Sequence, residues 1–387
     1  MDFRDTIDEA EFRAGLRRWL ADTLPADWAQ RPPTFGQQLE ERRAWTRNLF
    51  EAGYAGLTWP IEYGGAGRPY SHQAIFLEEA GRVEAPEHIG VIGLGMAGPT
   101  IRIHGTEAQK KQHLSAILSG DTIFCQGFSE PGTGSDLASV STRAELDGDS
   151  YVVNGQKVWS SWAHIADYCI LLTRSDPAEP GHGGMTYFLL DMRTPGVEVR
   201  PLRQITGDPE FNEIFLSDVR VPVEDVVDVP GNGWNVAMTT LLNERGTLGF
   251  ALTSHLEGSL RRLVQTIKAV GAADDPVVRD TVASLYIELE GLRYTNFRSL
   301  TTLMKTGAPG PEGSVSKLCW SETNQRLTSF ALELLGTEAQ LDGDGSLWAG
   351  FWQFQQLRSR GNTIEAGTSE VLRNIIAERL VGLPRSR

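Results

Sequence analysis

Ser150-Tyr-Val-Val-Asn-Gly-Gln-Lys-Val-Trp159 marks the point where the chain changes its hydrophobic period. Apolar residues flank Asn154-Gly155 on both sides, and Asn-Gly suits a type I′ turn, so the stretch reads as a β-hairpin. Further β-rich runs at 122–125, 168–173, 185–192, 197–202 and 213–221 are separated by Gly, Pro and Asp. Short strands so punctuated predict a compact, barrel-like β domain over 121–230.

On either side of that domain the period is helical. Phe12, Leu16, Trp19 and Leu20 recur at helix spacing amid Arg and Asp. Further helices are expected at 35–52, 71–82 and 106–118. Pro60, Gly64, Gly65, Gly67 and Pro69 make 59–70 a loop. Past Gly231-Asn-Gly-Trp234, helices are expected at 232–269, 275–306, 312–335 and 367–381, broken at Gly271, 307–311 and Gly336. Long helices joined by short Gly/Pro loops predict an antiparallel bundle. The expected organisation is a helical domain over 1–120, the β domain over 121–230 and a helical bundle over 231–387.

Composition narrows the function. The chain has 387 residues, 40% hydrophobic and 22% charged, with 36 basic against 50 acidic residues and a net charge of −14. That is the profile of a globular protein with a large core. The acidic balance argues against nucleic acid, whose binding needs Lys and Arg to neutralise phosphates. Cys125, Cys169 and Cys319 are odd in number and far apart, which argues against a disulfide framework and a zinc site. No secretory signal and no apolar run of membrane-spanning length is visible, so a cytoplasmic protein is expected.

Four places could carry chemistry. The loop Cys125-Gln-Gly-Phe-Ser-Glu-Pro-Gly-Thr-Gly-Ser-Asp136 is the most loaded. Gly132 and Gly134 permit φ > 0 and close ligand approach, and backbone N–H groups with Ser135 can bind a phosphate oxygen. The same composition also suits an ordinary surface loop, and it is neither a Walker loop nor a dinucleotide fingerprint. Trp159-Ser-Ser161 offers an indole and two hydroxyls, either a wall for a planar cofactor or a plug for the barrel. Glu244 lies three residues after Leu241 and four before Leu248, a carboxylate on an apolar stripe. Buried there it must be paired, for instance with Arg245, or have a raised pKa fit for a general base. Gly246 and Gly249 on the same helix would leave room for a ligand. Finally, Thr368 or Ser369 can cap the last helix.

Together these segments resemble the acyl-CoA dehydrogenase family across the whole chain. Ser129-Glu-Pro-Gly-Thr-Gly-Ser-Asp136 resembles the family's T/S-E-P-x-A/T-G-S-D loop, and Val152 to Ser161 its N-G-x-K-x-W segment. Gly56-Leu-Thr-Trp-Pro-Ile-Glu-Tyr-Gly-Gly65 and Ala366-Gly-Thr-Ser-Glu370 match further motifs. The resemblance implies an N-terminal helical domain, a central β-barrel-like domain and a C-terminal four-helix bundle, with FAD between the last two. It implies Phe128 and Ser129 along the flavin, Gly134 among the cofactor-binding residues and Ser135 at the pyrophosphate. Trp159 and Ser161 fall on the isoalloxazine, and Thr368 and Glu370 near the rest of the cofactor. Ser135, Arg245 and Gly367 fall on the substrate side. No metal is implied.

The family's base is a Glu in one of two places. One directly precedes the Gly-Thr of the C-terminal motif, where this chain has Ala366. The other, in isovaleryl- and long-chain-like members, precedes an Arg on the first bundle helix, where this chain has Glu244-Arg245. The resemblance therefore implies Glu244 as base, with Glu365, one residue out of register, as the competing candidate. The implied reaction is α,β-dehydrogenation of an acyl-CoA thioester to the trans-2-enoyl-CoA, possible for a branched or bulky acyl group, with an electron-transferring flavoprotein as acceptor. An acyl-CoA oxidase, and a base-less structural subunit, are the alternatives.

Two departures bear on assembly. Leu260-Arg-Arg-Leu-Val-Gln-Thr266 lacks the R-x-x-F-G-like motif of homotetrameric members, and Glu333-Leu-Leu-Gly-Thr-Glu338 reduces the Q-x-x-G-G-x-G-like segment. The chain is in this respect similar to heteromeric dehydrogenases of bacterial steroid side-chain degradation. A dimer or tetramer is expected, including a hetero-oligomer with a paralogous subunit.

Overall fold

The computed structural model describes residues 4–25, 28, 39–179, 181–246, 248–307, 310–341 and 343–385, without the side chains at 244–246, 248 and 344. Helices α1 (Ile7–Thr23), α2 (Leu39–Glu51), α3 (Tyr70–Arg82), α4 (Gly98–His104) and α5 (Glu107–Ser119) come first. Seven strands follow: β1 (Phe124–Gly127), β2 (Arg143–Asp147), β3 (Ser150–Ser161), β4 (Tyr168–Arg174), β5 (Met185–Asp191), β6 (Val197–Leu202) and β7 (Phe211–Pro222). Helices α6 (Gly233–Gly246), α7 (Leu248–Ala269), α8 (Pro276–Thr306), α9 (Glu312–Leu335), α10 (Phe351–Asn362) and α11 (Ser369–Arg379) complete the chain. The order is helical, β, helical, as the periodicity predicts. No described helix is long and apolar enough to cross a membrane.

The chain forms two compact units that do not follow sequence order. One comprises residues 34–67 and 87–244, the other 1–33, 68–86 and 245–387.

In the first unit the strands form one curled sheet of order β1-β4-β2-β3-β7-β6, with β5 on the other edge of β4. β1 runs parallel to β4, while β3 is antiparallel to both β2 and β7. β4 and β5 are buried along almost their whole length, as continuous apolar runs covered on both faces must be. Cys125, Val153, Cys169, Leu171, Phe188, Ile214 and Val219 are core residues. Cys125 and Cys169 are free and buried, whereas Cys319, expected to be buried like them, is free and exposed. α5 begins with a capping box in which Thr106 and Gln109 satisfy each other's backbone N–H groups. The loop after Gly56 is held by Trp59, buried at 4% exposure, whose indole lies where any side chain at Gly98 would go.

The Asn154-Gly155 hairpin is not there. β3 runs unbroken through both residues, and the turn lies at Gly148 (φ 67°) between β2 and β3. Asn154 instead bonds across to β7. Its Nδ2 donates to Asp218 Oδ1 (3.0 Å) and its Oδ1 accepts from Asp218 N (2.9 Å). Gly155 sits at a register shift with φ 155°, and a Cβ there would lie 2.8 Å from Thr142 Cα. The glycine marks a bulge with close backbone approach.

In the second unit α7, α8, α9 and α10 share a core that includes Leu260, Leu263, Leu285, Leu289, Leu327, Ala331 and the fully buried Trp352. Trp352 Nε1 donates to Thr266 Oγ1 at 2.9 Å. α8 starts with Asp275 as cap and Pro276 at its first position, and ends at left-handed Gly307. α1 docks on α3 through Arg13 and Arg17, each 2.7 Å from the buried Glu79 carboxylate. The stretch expected as one helix over 232–269 is two, α6 and α7. The N-terminal part of the helix expected over 35–52 lies outside the described residues.

Candidate active site

The loop after β1 is built around a buried ion pair. Glu130-Pro-Gly-Thr133 closes a tight turn, with Glu130 N donating to Thr133 O (2.8 Å) and Thr133 N to Glu130 O (2.9 Å). The Glu130 side chain is 4% exposed and Lys157, on β3, is wholly buried. Lys157 Nζ donates to Glu130 Oε1 (2.8 Å) and to the carbonyl of Phe128 (3.2 Å). Ser141 N (2.7 Å) and Oγ (2.6 Å) bond Glu130 Oε2, and Thr142 N (2.9 Å) bonds Oε1. Burial alone would raise the Glu130 pKa. The Lys157 charge and the donors from Lys157, Ser141 and Thr142 outweigh it and hold the carboxyl at about 2. This clamp fixes the path of Phe128-Ser129 and was not identified from sequence. The available signal was Lys157 as the one charged residue of β3.

The same clamp presents the expected binding residues. Val158 N donates to Ser129 O at 3.0 Å, tying the loop to the end of β3. Phe128 is buried edge-on to Tyr187, with ring centroids 5.9 Å apart. Ser135 and Gly134 are exposed. Gly132 and Gly134 do not adopt positive φ, contrary to the expectation. Their contribution is space, since a Cβ at either would meet nothing within 4 Å.

Trp159 is neither core nor plug. It is 60% exposed, at φ 60°, inside the second register shift between β3 and β7. A bulky residue in left-handed backbone costs about 1–2 kcal/mol, and exposing an indole there adds no compensating burial. Its one described ring neighbour is Phe211, edge-on at 5.8 Å. Ser160 is buried, with an Oγ that finds no partner among the described residues, and Ser161 pairs with Phe211 at the strand end. A strained, outward-facing indole on the strand that Val158 N ties to Ser129 offers a face to a flat aromatic ligand. These residues fit a flavin. The described residues contain no cluster able to hold a metal ion.

Gly367, Thr368 and Glu370 belong to the other unit, at the start of α11. Thr368 Oγ1 accepts from Val371 N (3.2 Å), which makes it the helix cap. Ala366 (φ 53°) and Gly367 (φ 99°) are both left-handed, and buried Lys317 donates to the Gly367 carbonyl at 2.7 Å. Glu365 is engaged by three donors. Arg358 reaches both its oxygens (3.2 and 2.9 Å) and Asn362 Nδ2 bonds Oε1 at 2.7 Å.

Glu244 and Arg245 lie near the C-terminal end of α6; their side chains are outside the described residues. The neighbouring room expected at Gly249 is filled. A Cβ there would approach Asn296 Cγ to 3.1 Å and Ser316 Cβ to 3.3 Å, so Gly249 serves helix packing. Asn296 bridges α7 and α9, donating to Gly249 O and Thr253 Oγ1 while accepting from Ser316 Oγ.

Three family models cover the chain: the acyl-CoA dehydrogenase N-terminal domain over residues 6–121, the middle domain over 125–219 and the C-terminal domain over 231–381. The fold and these matches define a flavoprotein-type oxidoreductase architecture, and the chain belongs to the acyl-CoA dehydrogenase family. It is 42% identical to acyl-CoA dehydrogenase IpdE1 of Mycobacterium tuberculosis over 98% of both chains. Among solved structures, the Tcur3481-Tcur3483 steroid ACAD superposes with a TM-score of 0.89 at 33% identity, covering 100% of both chains. The ChsE4-ChsE5 complex from Mycobacterium tuberculosis gives 0.86 at 31% identity, again over 100% of each.

Proposed function

We propose that the chain catalyses FAD-dependent α,β-dehydrogenation of an acyl-CoA thioester carrying a bulky, steroid side-chain-like acyl group, with Glu244 as the base. Bound FAD supplies the hydride acceptor. Trp159, Ser161, Phe128 and Ser129 would hold the isoalloxazine, and Ser135 with the open glycines Gly132 and Gly134 would receive phosphate oxygens. Thr368 and Glu370 would bind the remainder of the cofactor, and Arg245, Gly367 and Ser135 the thioester substrate. Glu244 would take the α-proton while preorganised hydrogen bonds to the thioester carbonyl stabilise enolate-like charge.

The observation that carries the base assignment is the engagement of Glu365. A carboxylate held at both oxygens by Arg358 and Asn362 has three of its about four lone-pair sites engaged, and a base must be free to take a proton. Position 366, where other family members carry the acid, is Ala. The bulky acyl group is supported by the steroid ACAD among the structural neighbours. Two-chain neighbours, together with the missing R-x-x-F-G-like motif, support assembly with a paralogous subunit. An electron-transferring flavoprotein is the proposed acceptor.

The test is anaerobic titration of the purified yellow protein, with any chain that co-purifies, against a panel of acyl-CoA thioesters. Loss of the visible flavin band is expected with bulky acyl groups, abolished by Glu244→Gln and retained in Glu365→Gln. The reverse pattern would sink the base assignment, and bleaching by straight short chains alone would sink the substrate class.

A further inference from the structure

We propose that Thr240, held by Thr100 and Tyr187, is a positioning residue that sets the orientation of the α6 turn bearing Glu244. The inference rests on Glu244 being the base. Val236 and Thr240 are both fully buried and lie four residues apart on α6. Residues at i and i+4 stack along one helix face, so position 244 is the next member of that row.

The grip on Thr240 is made of three buried hydroxyls. Thr240 Oγ1 lies 2.9 Å from Thr100 Oγ1 on α4 and 3.1 Å from the Tyr187 hydroxyl on β5. All three residues are buried to 0% exposure. Thr100 Oγ1 also bonds Met96 O at 2.8 Å, and Thr240 Oγ1 bonds Val236 O at 3.1 Å. Burial raises the Tyr187 pKa despite its hydroxyl contacts, so the phenol keeps its proton and donates. Thr240 then accepts from Tyr187 and donates its own proton to a carbonyl or to Thr100. An apolar replacement would take from the phenol and from Thr100 one of their hydroxyl partners in a buried site.

A second contact one residue away holds the same turn. His104 Nε2 is 2.8 Å from Thr239 Oγ1, and His104 Nδ1 is 3.1 Å from Asp228 Oδ2. Thr100 and His104 are one turn apart on α4, so a single face of α4 grips two consecutive residues of α6. α4 is itself entered through a π-helical turn, Gly93–Ala97, which offsets its face relative to a continuous α-helix. Two grips on adjacent residues fix both rotation and height of the helix just before the base. Proton abstraction demands that placement, because a base must sit within hydrogen-bond reach of the proton it takes.

The test isolates the base from hydride transfer. Tert-butylacetyl-CoA has α-hydrogens but no β-hydrogen, so it can exchange its α-proton and cannot be desaturated. The FAD-loaded protein, with any co-purifying chain, is mixed with it in deuterium oxide, and NMR follows loss of the α-proton signal. Thr240→Val is expected to slow exchange by about 100-fold, the effect of roughly 1 Å of misplacement, while Thr240→Ser stays within about 3-fold of wild type. Tyr187→Phe is expected to slow exchange in the same direction, and serves if Thr240→Val does not fold. Flavin content and thermal midpoint are recorded for each variant. Wild-type exchange in Thr240→Val or Tyr187→Phe, with Glu244→Gln inactive, would overturn the positioning role and leave the base assignment standing. Wild-type exchange in Glu244→Gln would overturn both.

Discussion

Replacing Lys157 by Met tests whether the Glu130 clamp organises the loop. The substitution conserves the apolar stem but leaves a carboxylate of 4% exposure without its countercharge. Breaking one side of a buried pair costs about 3–5 kcal/mol. The pKa displacement gives a figure for the whole clamp, in which Ser141 and Thr142 share with Lys157. The Glu130 carboxyl is displaced from 4.5 to about 2, worth roughly 3 kcal/mol at neutral pH. Ser141 N, Ser141 Oγ and Thr142 N still reach the carboxylate in the variant, which places the expected loss near 3 kcal/mol, the lower end of that range. The folded pKa lies below the unfolded one, so this contribution is complete above about 4.5 and is lost as pH falls toward 2. Urea unfolding followed by tryptophan fluorescence measures the loss, and Lys157→Met/Glu130→Gln closes the cycle. Coupling of at least about 1.5 kcal/mol is expected between the two sites. A single-variant loss under about 1 kcal/mol, or coupling under about 0.5, would refute the clamp. Flavin content should fall in parallel, because the Phe128 carbonyl loses its Lys157 donor.

Trp159→Asn should leave the flavin-free protein as stable as wild type or up to about 1 kcal/mol more stable, since Asn tolerates left-handed backbone, while flavin content drops. A clear stability loss with flavin retained would count against a ligand-bearing indole. Gly249→Ala should destabilise by about 1–3 kcal/mol through Asn296 and Ser316, whereas Gly132→Ala should stay within about 0.5; equal effects in thermal melts would contradict the packing role. His88 accepts Gly90 N–H at Nδ1 (3.0 Å) and donates from Nε2 to Leu118 O (3.1 Å), and burial holds its pKa at about 4. Its folded value lies below the unfolded 6.5, so stability is complete above 6.5 and declines as pH falls toward 4, by on the order of 3 kcal/mol. Melting temperatures that do not fall between pH 7 and 4.5 would refute it.

The order of domains was legible because period is a local property. The β4 and β5 runs and the long helices α8 and α9 declare themselves within their own residues. β2 was missed because Arg143-Ala-Glu-Leu-Asp147 buries only Ala144 and carries three charges, so its alternation contains a single apolar inward position. Asn154-Gly155 misled for the opposite reason. The dipeptide has strong local turn propensity, but β3 is paired on both edges, and a strand with β2 on one side and β7 on the other gains more by continuing through a bulge than by turning. α10 was missed because its one fully buried apolar residue, Trp352, is set among glutamines, of which Gln356 finds its partners on α9.

The site was legible where residues act in short runs and illegible where they act across distance. Ser129 to Asp136 could be read as a ligand loop, but the Lys157 that shapes it lies on another strand, and no local pattern pairs it with Glu130. Glu365 shows the same limit at shorter range. In sequence it is one residue from a position where family members carry their acid, which makes a register slip look trivial. In the fold, Ala366 and Gly367 are both left-handed, and successive left-handed residues redirect the chain sharply between one position and the next. Glu365 therefore faces Arg358 and Asn362 of its own helix-and-loop segment, which hold it by both oxygens. To release it, a substrate would have to break a bidentate guanidinium contact and leave Arg358 without that partner. Such contacts are among the stronger charge-assisted pairs, and the cost of breaking one favours a base on α6.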